Sequence, residues 1–258
     1  MVSIPAGAKI VTSRALNVEH GGHIANGSKH VVDSAIENGY TIFDNVAEQA
    51  VHDTVHQGIQ MNDPFIFYGA GHGNETTFTG DNLDVIFTTA DCEILAGRLV
   101  NLHSCSTGSR LGPEIIKKGG SSFLGFVKDW GWLAGDDIDT NDPNADPYDC
   151  IYAKPFWESA NQYMISLFTG RETKRAYMEC YEKYNEWIEY WKESDDPGAA
   201  QIIGLLAYDR DIMVLIEEIL PSPPPSQPLW KPIVAMLPIF GIGLVVNQWD
   251  EITKLFTQ

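Results

Sequence analysis

Short apolar runs alternate with amphipathic stretches through the first half of the chain. Ala8–Ser13 (AKIVTS), Tyr40–Phe43, Pro64–Tyr68 (PFIFY), Leu99–Leu102 and Ser122–Val127 are strand-length runs with little polar alternation, the pattern of strands buried on both faces. Between them, Val46–Ile59 repeats apolar residues at helical spacing, and Gly112–Lys118 forms a short helix stopped by Gly119 and Gly120. Strands separated by helices predict an α/β fold: three layers, with a mainly parallel central sheet. After Val127 the pattern changes. Asp129–Asp149 holds seven Asp and no Lys or Arg, and it reads as a flexible acidic loop. Pro155–Thr169 and Arg171–Glu193 then carry helical periodicity. The second has Tyr177, Cys180, Tyr181, Tyr184, Trp187, Ile188 and Trp191 on one stripe, the spacing of a core-facing side. Gly198–Ile219 adds a further helix and a short apolar stretch.

The pattern also divides the chain into segments. Residues 1–220 form the main domain, 221–228 (PSPPPSQP) a stiff extended linker, and 229–258 an apolar tail. Within that tail Trp230 and Trp249 bracket a stretch uncharged from Pro232 to Val246. Their nineteen steps would span ~28 Å as a helix, near bilayer thickness. Residues 229–249 therefore read either as a membrane anchor or as an arm docking on this domain or on a second subunit.

Composition narrows the function classes. The 258 residues carry 17 Lys and Arg against 35 Asp and Glu, a net charge of −18, which repels phosphate backbones and argues against nucleic acid as a partner. Cys92, Cys105, Cys150 and Cys180 are too sparse for a disulfide framework or zinc knuckle, and no secretory leader is read at the start. A reducing cytoplasm is expected for the folded part, membrane-attached if the tail is an anchor.

Chemistry concentrates at two strand ends. One strand runs into Gly69-Ala-Gly-His72-Gly73-Asn74 and a later one into His103-Ser104-Cys105-Ser-Thr-Gly108. In a parallel sheet both motifs leave at the carboxyl edge, where open α/β sheets bind ligands. A histidine beside a cysteine there provides a proton carrier for a nucleophile, and the nearby helix N-terminus is expected to favour thiolate. The structural alternative makes Cys105 a small buried residue and His72 a turn residue. His103 shares a strand face with Cys105 and points either into the site or into the core. Ser104, with Asp129 and Asp136 in the acidic loop, completes the candidate substrate-binding set.

Three further motifs match weaker patterns. His52-Asp-Thr-Val-His56 imitates a zinc-protease helix but lacks the Glu base, and it reads as the polar edge of an amphipathic helix. Gly69-Ala-Gly71 departs from the dinucleotide fingerprint at Asn74. Asp137, Asp139 and Asn141 imitate a calcium loop, but Asp142 replaces its turn glycine. No metal or cofactor is expected.

Taken together, FIFYGAGHG, LVNLHSCSTG, LGPEIIKKGGSSFLGF and the later PFWESANQYMISLFTGRETKRAYMEC resemble the caspase-fold cysteine peptidases, the clan of caspases, gingipains, clostripain, metacaspases and legumain. The resemblance covers roughly residues 8–215. It implies His72 as acid/base, Cys105 as nucleophile, and the backbone N–H groups of Gly73 and Cys105 as oxyanion donors, acting on a peptide or protein substrate. Metacaspases and clostripain-like enzymes carry an Asp two residues before the nucleophile for a basic substrate side chain. His103 stands there, so the resemblance does not imply cleavage after Arg or Lys. Two function classes follow: a cysteine endopeptidase, or a catalytically silent binding or scaffold protein on the same fold, attached to a membrane or an assembly.

Overall fold

The apolar runs become strands, and the polar stretches between them become the connections over each face. The computed structural model describes residues 2–135 and 138–217. In chain order they form β1 (Lys9–Arg14), α1 (Gly21–Glu37), β2 (Thr41–Phe43), α2 (His52–Asn62), β3 (Ile66–Ala70), β4 (Gly73–Asn74), β5 (Thr77–Thr79), β6 (Val85–Thr88), β7 (Leu99–His103), α3 (Leu111–Lys117), β8 (Ser122–Phe126), α4 (Lys154–Phe168), α5 (Thr173–Lys192), α6 (Ala199–Ile212) and β9 (Met213–Glu217). Asp136, Asp137, the linker at 221–228 and the apolar tail at 229–258 lie outside the described residues. Among the described residues, no helix is long and apolar enough to cross a membrane.

The main sheet has the order β2-β1-β3-β7-β8-β9 and is parallel except for β9, which runs antiparallel along β8. β3, β7 and β8 are buried along their whole length, because helices cover both faces. On one side Ile24 and Val31 of α1 and Phe156, Trp157 and Tyr163 of α4 pack on the sheet, with Cys180, Tyr184, Ile188 and Trp191 of α5 in the same cluster. On the other side lie Val55 and Ile59 of α2, Leu111 and Ile115 of α3, and Phe78 and Phe87 from the small antiparallel sheet β4-β5-β6. The fold is thus the three-layer α/β arrangement with C-terminal helices that the strand–helix alternation predicts.

Two expectations change, and one helix enters that the apolar pattern does not announce. The region 14–40 holds a helix, α1, that its glycines hide in the sequence. A Cβ at Gly22 would lie 1.9 Å from the Asp142 carbonyl oxygen, and one at Gly27 2.4 Å from the Trp157 ring. These glycines therefore allow close packing and do not break the helix. The helix expected from Val46 begins at His52, because Val46 and Val51 are extended and Ala47 is left-handed. The acidic loop, over residues 138–149, is docked on α1. His23 N–H donates to the Thr140 carbonyl at 3.1 Å, the Asn26 side chain donates to the carbonyls of Pro143 and Ala145, and His30 pairs with Asp146 at 2.9 Å.

Strand order and register place the chemistry. The chain passes from β1 outward to β2, then returns to β3 on the other side of β1, so the order reverses between β1 and β3. The carboxyl ends there diverge and leave a crevice. In the next pair Ala70 of β3 stands opposite His103 of β7. Two residues further along each chain come His72 and Cys105, leaving the sheet edge at the same level.

Candidate active site

His72 and Cys105 line one cavity of about 300 Å³ above the carboxyl edge. His72 is half-buried, in the link between β3 and β4. Its Nε2 lies 3.1 Å from the carbonyl oxygen of Glu19, in the loop that leaves β1. A carbonyl can only accept, so Nε2 donates its proton there and Nδ1 is the nitrogen free to exchange one. The His72 carbonyl is itself held by the N–H and hydroxyl of Thr79, at 3.0 and 3.2 Å. That bonded pair makes the adjacent Gly73–Phe78 pair the non-bonded type, so the Gly73 N–H turns away from β5. A Cβ on Gly73 would come within 2.8 Å of the Thr107 methyl and 3.0 Å of the Cys105 carbonyl oxygen. Glycine is what lets the two strand-end loops touch.

Cys105 opens a loop stitched to the end of β8. Ser106, left-handed at φ 58°, donates its N–H to the Lys128 carbonyl and its hydroxyl to Asp129 at 2.7 Å, and Gly108 N–H donates to Phe126. The Cys105 thiol is half-buried and donates to the Trp130 carbonyl oxygen at 3.5 Å. Burial first, then the Asp129 charge, push it up to about 11. This corrects the expected thiolate. The helix N-terminus at α3 begins six residues away, at Leu111, and desolvation outweighs it.

His103 is buried and lines the cavity wall, its ring 4.1 Å from that of Trp130, 4.6 Å from Trp157 and 5.9 Å from Phe126. Burial lowers its pKa to about 3, which leaves it neutral, and Nε2 has no hydrogen-bond partner. Ser104 also lines the cavity, its hydroxyl 3.1 Å from that of Thr107. Asp129 is exposed, held by Ser106, and is not among the lining residues. Asp136 lies outside the described residues.

Several contributors carry no marker in the sequence. The Glu19 carbonyl is a backbone group. Trp130 and Trp132, two residues apart in the segment after β8, both line the cavity, a spacing that could have flagged them. Their positions are fixed: Trp130 Nε1 donates to the Tyr184 hydroxyl at 3.2 Å, Trp132 Nε1 to His23 Nδ1 at 3.1 Å, and the Gly131 N–H between them to Asp209 at 3.3 Å. Asp209 is fully buried and its other carboxyl oxygen has no partner, so burial raises its pKa well above the usual carboxylate range.

The weaker motifs resolve into packing. The rings of His52 and His56 stack at 3.9 Å, and His56 Nε2 donates to the Ile86 carbonyl, joining α2 to β6. Gly69 and Gly71 give room to Phe78 and to the Thr79 carbonyl. Among the described residues, no group of His, Cys, Asp and Glu is arranged to hold a metal ion.

No family profile matches the chain, and no curated protein does. Solved structures do. The chain is similar to the complex of Porphyromonas gingivalis RgpB pro- and mature domains, with a TM-score of 0.51 and 11% identity over 82% of this chain and 47% of that one. It is similar at the same TM-score and identity to the Arg-specific cysteine proteinase gingipain R, over 81% and 46% of the two chains. The chain thus spans about half the length of these neighbours, and what it shares with them is the caspase-like fold.

Proposed function

We propose that the chain is a cysteine peptidase that hydrolyses peptide bonds in a protein or peptide substrate, with Cys105 as nucleophile and His72 as proton carrier. The observation that carries this reading is the convergence of the two side chains on one cavity, with the His72 proton held on Nε2 by the Glu19 carbonyl. Nδ1 is then the basic site. It takes the thiol proton as sulfur attacks the substrate carbonyl, and the N–H groups of Gly73 and Cys105 receive the developing oxyanion. The imidazolium returns that proton to the leaving amine as the C–N bond breaks, giving a thioester on Cys105. Water, deprotonated by Nδ1, attacks the thioester and expels the thiol, which restores the resting state. No metal or cofactor enters this scheme.

The second reading, a silent binding protein on the same fold, is favoured by one observation: Cys105 is a protonated thiol turned toward Trp130. Hydrolysis of a peptide library by the full chain beside Cys105→Ala and His72→Ala separates the two. Loss of turnover by at least about 1,000-fold in Cys105→Ala, with the fold retained, supports the peptidase. Equal residual hydrolysis in all three proteins supports the silent protein. Residues 229–249 are proposed either to anchor the cytoplasmic chain to a membrane or to dock on this domain or a second subunit; a full chain that stays soluble and monodisperse without detergent contradicts the anchor and supports the docked arm.

A further inference from the structure

The cavity beside Cys105 has mainly apolar walls, with His20, His72, His103, Ser104 and Thr140 as its polar members. Ile24, Ala134 and the indoles of Trp130, Trp132 and Trp157 supply hydrocarbon walls, and no described residue lining it is Asp, Glu, Lys or Arg. In a chain with 35 acidic residues, a described lining without a carboxylate bears directly on what the site can hold. Two described carboxyl groups act on Cys105, and neither faces the cavity. Asp129 is exposed outside the cavity and engaged by the Ser106 hydroxyl, and Asp209 is buried behind Gly131. His103 is wedged among aromatic rings in its neutral form. Nor do the indoles form an open cage for a cation, because their ring centroids lie 5.0, 5.2 and 5.4 Å apart and they pack on one another.

On the peptidase reading above, we propose that this cavity is the subsite for the substrate side chain preceding the cleaved bond, and that it selects a large uncharged apolar side chain of the leucine, methionine or phenylalanine class. A guanidinium or ammonium group placed there would lose its water and find no carboxylate among the described lining residues. A carboxylate would find no Lys or Arg among the described lining residues. A branched or aromatic side chain displaces water from the apolar walls and brings no polar group of its own that would need a partner. The assignment sets this chain apart from the Arg-specific cysteine proteinase whose fold it shares.

The test assays the full chain, and its Ala134→Glu variant, on fluorogenic peptides identical except at the residue before the cut: Leu, Met, Phe, Arg, Lys or Asp. Ala134 is a half-buried wall residue, so the new carboxylate is sterically tolerable there. The proposal expects kcat/KM for Leu, Met or Phe to exceed that for Arg, Lys and Asp by at least about 100-fold. Ala134→Glu should raise cleavage after Arg by about 10-fold or more. A basic or acidic residue cleaved as fast as Leu, or an apolar preference indifferent to Ala134→Glu, overturns the subsite and leaves the peptidase standing. Hydrolysis of none of the peptides overturns both.

Discussion

The carboxylate of Asp81 holds both amides of Asn17: Oδ1 accepts the backbone N–H at 2.6 Å and Oδ2 accepts the side-chain amide at 2.8 Å. The Leu16 N–H adds a third bond at 2.9 Å. Asp81 is fully buried, just after the β4–β5 hairpin that His72 opens, and Leu16 and Asn17 begin the loop that carries Glu19. One side chain therefore ties together the two segments whose meeting fixes the His72 tautomer. Asp81→Asn turns an amide donor against these donors. It should cost about 2–4 kcal/mol of stability in urea unfolding and lower kcat about 10-fold or more with KM little changed. Unaltered kcat in a stably folded variant would remove Asp81 from the positioning chain.

The Cys105 thiol, pushed up to about 11, sets a second expectation. Because its value is raised, the thiolate fraction at neutral pH is small and grows with pH. Alkylation of Cys105 by iodoacetamide should climb about 10-fold per pH unit between pH 7 and 10, flattening near pH 11. Mass spectrometry after timed quenching reads this site by site. A rate already at its plateau by pH 7 would mean that a thiolate–imidazolium pair pre-exists.

Two buried histidines give the fold an acid limit. Burial lowers His23 to about 4 and His103 to about 3, against 6.5 when unfolded. Below pH 6.5 the unfolded chain binds protons that the native chain refuses, so this stability is whole above pH 6.5 and drains as pH falls toward 3. Replacing His103 with Phe, a flat ring for the same aromatic cluster, should flatten the dependence of unfolding free energy on pH between 6.5 and 4 by up to about one proton's slope, ~1.4 kcal/mol per unit. An unchanged slope would place the acid sensitivity elsewhere.

Asp209 acts in the opposite sense. Its folded-state pKa is raised by burial, so holding it in the fold becomes more costly as pH rises above the unfolded value of 3.8. Asp209→Asn keeps an acceptor for the Gly131 N–H and mimics the protonated acid. It should stabilise the protein by about 1–3 kcal/mol at pH 8 and have little effect at pH 4. Thermal unfolding at the two pH values checks this. A loss of stability at pH 8 would show that the ionised carboxylate is wanted.

What the sequence discloses follows a physical division. β3 and β7 are legible because strands covered on both faces must be apolar throughout, and the His72 and Cys105 motifs follow them directly. α1 is not, because Gly22 and Gly27 look like breakers and serve as contact points for the Asp142 carbonyl and the Trp157 ring. The three-stranded sheet β4-β5-β6 also escapes notice, since strands of two to four residues carry too little periodicity. At the site the titratable side chains can be read, but their environment cannot. The Glu19 carbonyl has no residue signature, and the high pKa of Cys105 depends on burial that only the packed chain creates.

The central claim is that Cys105 forms a covalent bond to the substrate carbonyl with His72 carrying the proton. Its most direct measurement is intact-mass and peptide-mapping spectrometry of the full chain, quenched in acid during turnover of a slowly deacylating peptide ester. The account predicts an acyl adduct on Cys105 alone, absent from Cys105→Ala and formed at least about 100-fold more slowly in His72→Ala. An adduct on another residue, or none while the ester is consumed, would contradict it.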